Sequence, residues 1–306
     1  MKGKRIVSFL PSATELIYEL GAQERLFGVT HECDYPSDAS NKPRVIESVF
    51  DPTKMSSQEI DDKICSLSDK DEDIYKLLTE NLTKAKPDLI ISQEICEVCS
   101  AYTKQVKNAI EILKIKPDVY SMNPHNIQGI LECVKDISEK IDESQKGQEI
   151  LSALNARIKN IHENQFENKP KVLGIEWIKP FFTAGHWVPE MIEYSGGINM
   201  ITKSGEHSRK MDIIEIANAD PDVLVLMPCG FNVEKTMLEY EKYLKTDSDW
   251  NKLRAVKEKK VFVVNANSFF SKPSIRIVTG IEILAKILHP EIFSELNVPV
   301  NSFLKI

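Results

Sequence analysis

Long apolar runs, an excess of basic charge and enzyme motifs are all lacking in this chain of 306 residues. No stretch approaches the roughly 18 consecutive apolar residues that a membrane-spanning helix needs. Lys and Arg number 39 against 46 Asp and Glu, and a net charge of -7 argues against nucleic acid as the main partner. No P-loop, GxGxxG after a strand, nucleophile elbow or HExxH is found. The sequence therefore predicts a protein that is not an enzyme.

A secretory leader is also lacking. The apolar run Ile6–Leu10 is shorter than the core of a signal peptide and is typical of a first strand. If Met1 is the true start, we expect a cytoplasmic protein; a chain whose leader had been removed would be extracytoplasmic and would look the same. In a long leaderless chain, the six cysteines are expected to be reduced thiols or metal ligands and not disulfides.

Short apolar runs alternate with helical patterns, which predicts an α/β fold with parallel sheets and crossover helices. The runs are residues 6–10, 26–30, 88–92, 118–122, 172–178, 222–227 and 261–265. The segments 85–91 and 219–225 resemble each other, which predicts two related lobes, residues 1–122 and 170–306. Between them, apolar residues at three- and four-residue steps over 123–169 predict one long connecting α-helix, bent near Gly147.

Three helix starts are predicted from capping patterns. Each pairs a Ser or Asp with a Glu three residues later: Ser12 with Glu15, Ser56 with Glu59, and Asp212 with Glu215.

Five segments resemble the cobalamin-binding and iron-complex branch of the class III substrate-binding proteins of ABC transporters. They are RIVSFLPSATELIYELGAQERLFGVTHECDYP, AKPDLIISQEICEVC, GHWVPEMIEYSGG, ADPDVLVLMPCG and PSIRIVTGIEILAKILHPE, within a resemblance over about residues 4–292. The resemblance implies two Rossmann-like lobes joined by one long helix, with the ligand in the cleft between them. It also implies a monomer that captures a corrinoid or an iron chelate for an ABC permease. The missing leader and the cysteine set depart from this pattern, so the alternative is a cytoplasmic cysteine-ligated metal or iron–sulfur protein, with or without enzyme activity.

Four cysteines follow predicted strands, at the sheet edge where α/β folds bind ligands. They are Cys33, Cys96, Cys99 and Cys229, and His31 lies beside the first of them. Four thiolates suit Zn²⁺ or an iron–sulfur cluster, and three would leave an open position for a cargo metal. The alternatives are independent buried side chains and, for the CxxC pair, a redox couple. The flanking glutamates oppose the redox reading because they raise thiol pKa values. Cys65 and Cys133 are expected to be packing residues.

A corrinoid is large and flat, so its site needs aromatic walls. The candidates that follow the first predicted strand of the second lobe are Trp177, Phe182, His186 and Trp187, and Tyr35 lies in a loop of the first lobe. Arg209 is a candidate contact for an anion or amide. The alternatives are a core role for Trp177 and Phe182 and a solvated loop position for Arg209. His186 and His31 are candidates to ligate cobalt or iron, and a hydrogen-bonding role is the alternative for each. Lower priority goes to the remaining histidines: His125, His162, His207 and His289.

Overall fold

The fold is taken from a computed structural model that describes residues 3–94, 100–114 and 116–306, with side chains described from 104 onward in the helix that starts at 100. The strands are β1 Ile6–Ser8, β2 Leu26–Thr30, β3 Arg44–Ser48, β4 Tyr75–Leu77, β5 Leu89–Gln93, β6 Asp118–Met122, β7 Lys171–Trp177, β8 Phe181–Thr183, β9 Ile198–Asn199, β10 Lys210–Met211, β11 Val223–Leu226, β12 Val261–Val264 and β13 Phe303–Lys305. The helices are α1 Pro11–Glu19, α2 Ser57–Ser68, α3 Thr79–Ala85, α4 Ser100–Leu113, α5 Ile127–Lys140, α6 Ser144–His162, α7 Val188–Tyr194, α8 Ile213–Ala219, α9 Val233–Tyr243, α10 Arg254–Lys257, α11 Ala266–Phe269 and α12 Ile277–Leu288.

The chain forms two compact units, and neither is one continuous stretch. The first unit comprises residues 1–54, 62–124 and 128–152; the second comprises 55–61, 125–127 and 153–306. The predicted α/β fold of two lobes with parallel sheets is confirmed. The predicted boundaries at 122 and 170 stay a prediction.

The first unit contains a six-stranded sheet in the order β4-β3-β2-β1-β5-β6. All neighbours are parallel except β3 and β4. The chain moves outward from β1 through β2 and then returns to the other side of β1 with β5. The order of strands therefore reverses between β1 and β5, and the carboxyl ends of these two strands form the topological switch point of the sheet. Residues such as Phe9, Ile90 and Val106 form the core beside this sheet.

The second unit contains the sheet β10-β8-β7-β11-β12-β13, with β9 also paired to β7. Strands β7, β11 and β12 run parallel, while β8 and β13 are antiparallel to their neighbours. Its core is built around Trp250, which is fully buried with Leu173, Leu224 and Val263. Here the strand order reverses between β7 and β11, so the ends of those two strands define the second switch point.

The predicted connecting helix is two helices. Residues 141–143 separate α5 from α6, and Asp142 lies in the left-handed region with φ 60°. The prediction of one helix bent near Gly147 is wrong because Gly147 lies inside α6. A Cβ on Gly147 would collide with the Ser138 side chain on α5, so glycine lets the two helices pack closely.

Two of the three predicted helix starts are confirmed. The Asp212 side chain accepts a hydrogen bond from the Glu215 N–H at 2.8 Å, and the Ser56 N–H donates to Glu59 Oε2 at 2.8 Å. The prediction that Ser12 caps the first helix is wrong. Helix α1 begins at Pro11, and Ser12 lies buried within its first turn. Proline suits this position because the first helical N–H has no acceptor within the helix.

No helix in the described part of the chain has both the length and the apolar character that crossing a membrane requires.

Candidate functional site

The first switch point lies where β1 and β5 end side by side. Ser8 on β1 pairs with Ile91 on β5, and the Phe9 N–H donates to the Ile91 carbonyl at 2.8 Å. Strand β5 therefore ends at the edge where parallel α/β sheets bind ligands. Cys96 and Cys99 follow directly but lie outside the described residues, so their arrangement stays a prediction.

Cys33 lies in the first unit just after β2, and its thiol is fully enclosed. The residue is 3% exposed, and its Sγ lies 3.1 Å from Thr14 Oγ1 and 3.3 Å from Thr30 Oγ1. Burial raises the pKa of the thiol, and the two hydroxyls offset this only in part. This environment favours the neutral thiol, whereas a metal ligand must be a thiolate.

The other described cysteines differ in exposure. Cys229 is exposed in the second unit after β11, and its N–H donates to the Glu176 carbonyl at 2.9 Å. Cys133 is buried, as expected of a packing residue, but Cys65 is exposed on α2, so its expected packing role is wrong. Over residues 3–94, 100–114 and 116–306, no group of three or more His, Cys, Asp or Glu is disposed to hold a metal ion as it stands. The four-cysteine metal site stays a prediction.

His31 follows β2 in the first unit, next to the cysteine that the sequence singled out. Its N–H donates to the Ile46 carbonyl at 3.1 Å, and its ring centroid lies 6.0 Å from that of Tyr75. The Nδ1 atom is buried and has no hydrogen-bond partner. The role of His31 as a metal ligand stays a prediction.

An aromatic pair marks the second switch point. The half-buried Trp177 ends β7, and its ring centroid lies 5.3 Å from that of Phe231, which follows β11. The indole N–H of Trp177 donates to the Ser57 carbonyl at 3.2 Å. Ser57 in turn donates its N–H to Glu239 Oε2 at 3.0 Å, and its hydroxyl donates to the same carboxylate oxygen. Three hydrogen bonds thus hold segment 55–61 against β7 and α9 within the second unit.

The remaining predicted ligand contacts occupy varied environments. Phe182 is half-buried on β8, and Tyr35 in the first unit is 44% exposed. Trp187 is only 4% exposed, and its indole N–H donates to the Phe270 carbonyl at 2.8 Å, which is typical of a core tryptophan. The guanidinium of Arg209 forms a two-pronged ion pair with Glu215, so contact with a ligand would compete with this carboxylate. Their roles in ligand binding stay predictions.

Three histidines of the second unit lie together. The ring centroids of His186 and His207 are 5.0 Å apart, those of His125 and His207 are 6.0 Å apart, and those of His125 and His186 are 6.3 Å apart. We call this cluster the histidine triad. His186 is 8% exposed, His125 is half-buried and His207 is exposed. The triad therefore runs from the interior of the unit to its surface.

Backbone hydrogen bonds bring two of the triad segments together. The His186 N–H donates to the Glu206 carbonyl at 2.6 Å, and the Gly205 N–H donates to the His186 carbonyl at 2.9 Å. Gly185 permits this approach, since a Cβ there would lie 2.8 Å from the Glu206 carbonyl oxygen and closer still to the Ser208 nitrogen. The loop that carries His207 is thus fixed beside the turn between β8 and α7.

A carboxylate on α7 positions the third segment. Glu190 Oε2 accepts a hydrogen bond from the Ile127 N–H at 2.7 Å, at the start of α5. A negative charge is favourable at a helix N-terminus because the first N–H groups have no partner within the helix. His125 lies two residues before this contact, so the capping of α5 by Glu190 places it next to the turn that carries His186.

The imidazole of His186 is held in its neutral form. Burial is the main cause that lowers its pKa to about 4, and the neighbouring His207 and His125 lower it further. A neutral imidazole has a free nitrogen lone pair, which is the form that binds transition metals.

The sequence points to one member of the triad and gives the other two low priority. His186 stands out because it lies at a loop-to-helix junction next to aromatic residues. His125 and His207 lie 61 and 21 residues away from it, so no metal-ligand spacing links them. The signal available in the sequence was weak: His125 directly precedes a predicted helix, and His207 lies in a polar loop directly before a predicted helix start.

Comparison with known proteins gives the class to which this fold belongs. Residues 6–267 match the family model described as periplasmic binding protein. The chain belongs to the periplasmic binding protein family.

Individual relatives are more distant. The chain is 23% identical to an uncharacterized ABC transporter substrate-binding lipoprotein of Bacillus subtilis, with 95% of this chain and 82% of the relative covered. It is 22% identical to the vitamin B12-binding protein of Vibrio cholerae, with 91% and 87% covered. The crystal structure of the periplasmic vitamin B12-binding protein of Vibrio cholerae matches with a TM-score of 0.68 at 20% identity, covering 94% of this chain and 97% of that one. The resemblance inferred from the sequence is confirmed.

Proposed function

We propose that this protein captures a corrinoid or an iron chelate outside the cytoplasm and presents it, chemically unchanged, to an ABC permease. The observation that carries the proposal is the family match over residues 6–267, together with curated relatives named as vitamin B12-binding proteins. An extracytoplasmic location is supported by relatives described as periplasmic or as a lipoprotein. We expect the protein to act as a monomer and without catalysis.

The aromatic residues fit a ligand of this type. A tetrapyrrole-like chelate has broad apolar faces that aromatic side chains bind well. Trp177 and Phe182 keep half-buried rings in the second unit, and Tyr35 keeps an exposed ring in the first. The cysteine-cluster alternative has less support, because the Cys33 thiol is buried and lies within hydrogen-bond distance of the Thr14 and Thr30 hydroxyls.

An absorption titration tests the proposal. Protein purified without oxygen or chelator is titrated with hydroxocobalamin and, separately, with hemin. We expect saturable spectral shifts at micromolar protein concentration with at least one of the two, without turnover. A charge-transfer band present before any addition, with no response to either compound, would favour the metal-cluster alternative.

A matched pair of variants links binding to the aromatic surface. Trp177→Ala should weaken binding by about tenfold or more, as expected when a large aromatic contact is removed. Phe262→Ala removes a half-buried aromatic ring on β12 away from the switch point and should leave binding unchanged. Equal affinities for the two variants would contradict the role of Trp177. Far-UV circular dichroism checks that both variants are folded.

A further inference from the structure

Two buried imidazole nitrogens of the histidine triad have no partner. They are His125 Nδ1 and His186 Nδ1, and neither forms a hydrogen bond. An unpaired buried polar atom costs about 1–3 kcal/mol. Burying these two nitrogens without a partner therefore lowers the stability of the second unit. A ligand that binds there would account for why they are buried unpaired.

The backbone at His186 adds a second, independent observation. His186 has φ 55°, in the left-handed region that glycine adopts at no cost. A histidine there costs about 1–3 kcal/mol, and residues held in this way cluster at functional sites. The glycine of this turn, Gly185, stands one position earlier, so the left-handed position itself is occupied by a histidine and not by a glycine.

The spacing of the rings limits what the triad can bind. Three imidazoles on one ion, with metal–nitrogen distances near 2.0–2.1 Å, would place their ring centroids about 5 Å apart. Two of the three observed separations, 6.0 and 6.3 Å, exceed this value. A free ion needs three or four protein ligands at once, and the described residues offer no such set as they stand. A metal that already carries most of its own ligands needs only one.

We propose that His186, flanked by His125 and His207, supplies an axial imidazole ligand to the metal of the captured chelate. This inference rests on the function proposed above. The chemistry is a ligand exchange: a water molecule leaves the metal and an imidazole nitrogen lone pair forms the new bond. No electron is transferred. The site therefore selects chelates of cobalt or iron with one exchangeable axial position.

The exchange has a direct spectroscopic test. Hydroxocobalamin carries an exchangeable axial ligand, whereas in cyanocobalamin cyanide occupies that position firmly. Both are titrated into the wild-type protein and into His186→Asn, because asparagine tolerates the left-handed backbone. His162→Asn is the matched control, an exposed histidine of the same unit outside the triad. If only hemin binds, hemin replaces hydroxocobalamin, and the readout is the change in the hemin absorption bands when an imidazole nitrogen binds the iron.

The expected result separates coordination from capture. Wild type and His162→Asn should bind hydroxocobalamin with the band shift of an imidazole complex. His186→Asn should bind it about 10- to 100-fold more weakly and without that shift, a loss of the size that follows changes around a metal site. Cyanocobalamin should bind the wild type and His186→Asn with equal affinity.

Three outcomes would overturn the inference. Identical bands and affinities in wild type and His186→Asn would exclude coordination by His186 and leave the proposed function standing. Saturable submicromolar binding of Zn²⁺ that His186→Asn abolishes would assign the triad to a free ion. No binding of any corrinoid or of hemin to the wild type would overturn the proposed function, and the inference with it.

Discussion

Removing the carboxylate of Glu239 should destabilise the second unit strongly. Glu239 is 4% exposed on α9 and accepts hydrogen bonds from both the N–H and the hydroxyl of Ser57. Hydrogen bonds to a charged group contribute about 1.5–3 kcal/mol each, and a buried donor left without a partner costs about 1–3 kcal/mol. Allowing for the desolvation cost that is also removed, Glu239→Ala should lower the free energy of unfolding by about 3 kcal/mol.

Two further variants show how much of this loss in the free energy of unfolding comes from each group. Glu239→Gln keeps one acceptor oxygen and should cost less, about 1–2 kcal/mol. Ser57→Ala removes the hydroxyl but keeps the backbone N–H, and should cost about 1 kcal/mol. In the Glu239→Ala background the same Ser57 change should cost almost nothing, because the two groups interact with each other.

Urea denaturation monitored by tryptophan fluorescence measures these effects. All three tryptophans, Trp177, Trp187 and Trp250, lie in the second unit, so the fluorescence reports on that unit. Glu234→Ala, an exposed glutamate on the same helix, should change the free energy of unfolding by no more than about 0.5 kcal/mol. If Glu239→Ala also stayed within that range with an unchanged denaturant slope, the reasoning from burial and unpaired donors would be wrong.

Further predictions concern the triad and the cysteines. Gly185→Ala should cost about 2 kcal/mol, since its Cβ would push against the backbone of 206–208; thermal unfolding checks this, and an unchanged midpoint would refute it. The pKa of His186 falls from about 6.5 unfolded to about 4 folded, so its contribution to stability is complete above pH 6.5 and is lost as the pH falls to 4. Partial solvent access reduces this loss to about 2 kcal/mol. Urea midpoints compared between pH 6.5 and pH 4 should show the loss in the wild type and not in His186→Asn, with both proteins free of metal. In a native-state alkylation followed by peptide mass mapping, Cys229 should react quickly and Cys33 only after unfolding; equal rates would contradict their assigned exposure.

The central strands were predictable because burial on both faces gives continuous apolar runs. Strand β11 is buried throughout and β7 is buried from Val172 to Ile175, and both stretches are apolar runs in the sequence. The short edge strands give no such signal: none of the three residues of β4 is buried, and β10 has only two residues, of which Lys210 is exposed. Their pairing depends on neighbours that are distant in sequence, which periodicity does not reveal.

The site was predictable only where its signal is local. His186 lies in a recognisable loop-to-helix junction, whereas the contacts to His125 and His207 depend on backbone hydrogen bonds and a helix cap made across the fold. Ser12 illustrates the opposite error. Its spacing from Glu15 fits a capping box, but the preceding proline already starts the helix and Ser12 is buried within it.

The interleaved composition of the two units has a consequence for synthesis. Segment 55–61 belongs to the second unit, and its contact between Ser57 and Glu239 spans 182 residues of sequence. A protein chain emerges from the ribosome with its N-terminus first. Ser57 is therefore made long before its partner, and the second unit can complete its fold only after residue 239 has emerged. A fragment starting at residue 153 would contain every strand of the second sheet and would still lack the segment that satisfies the Glu239 carboxylate.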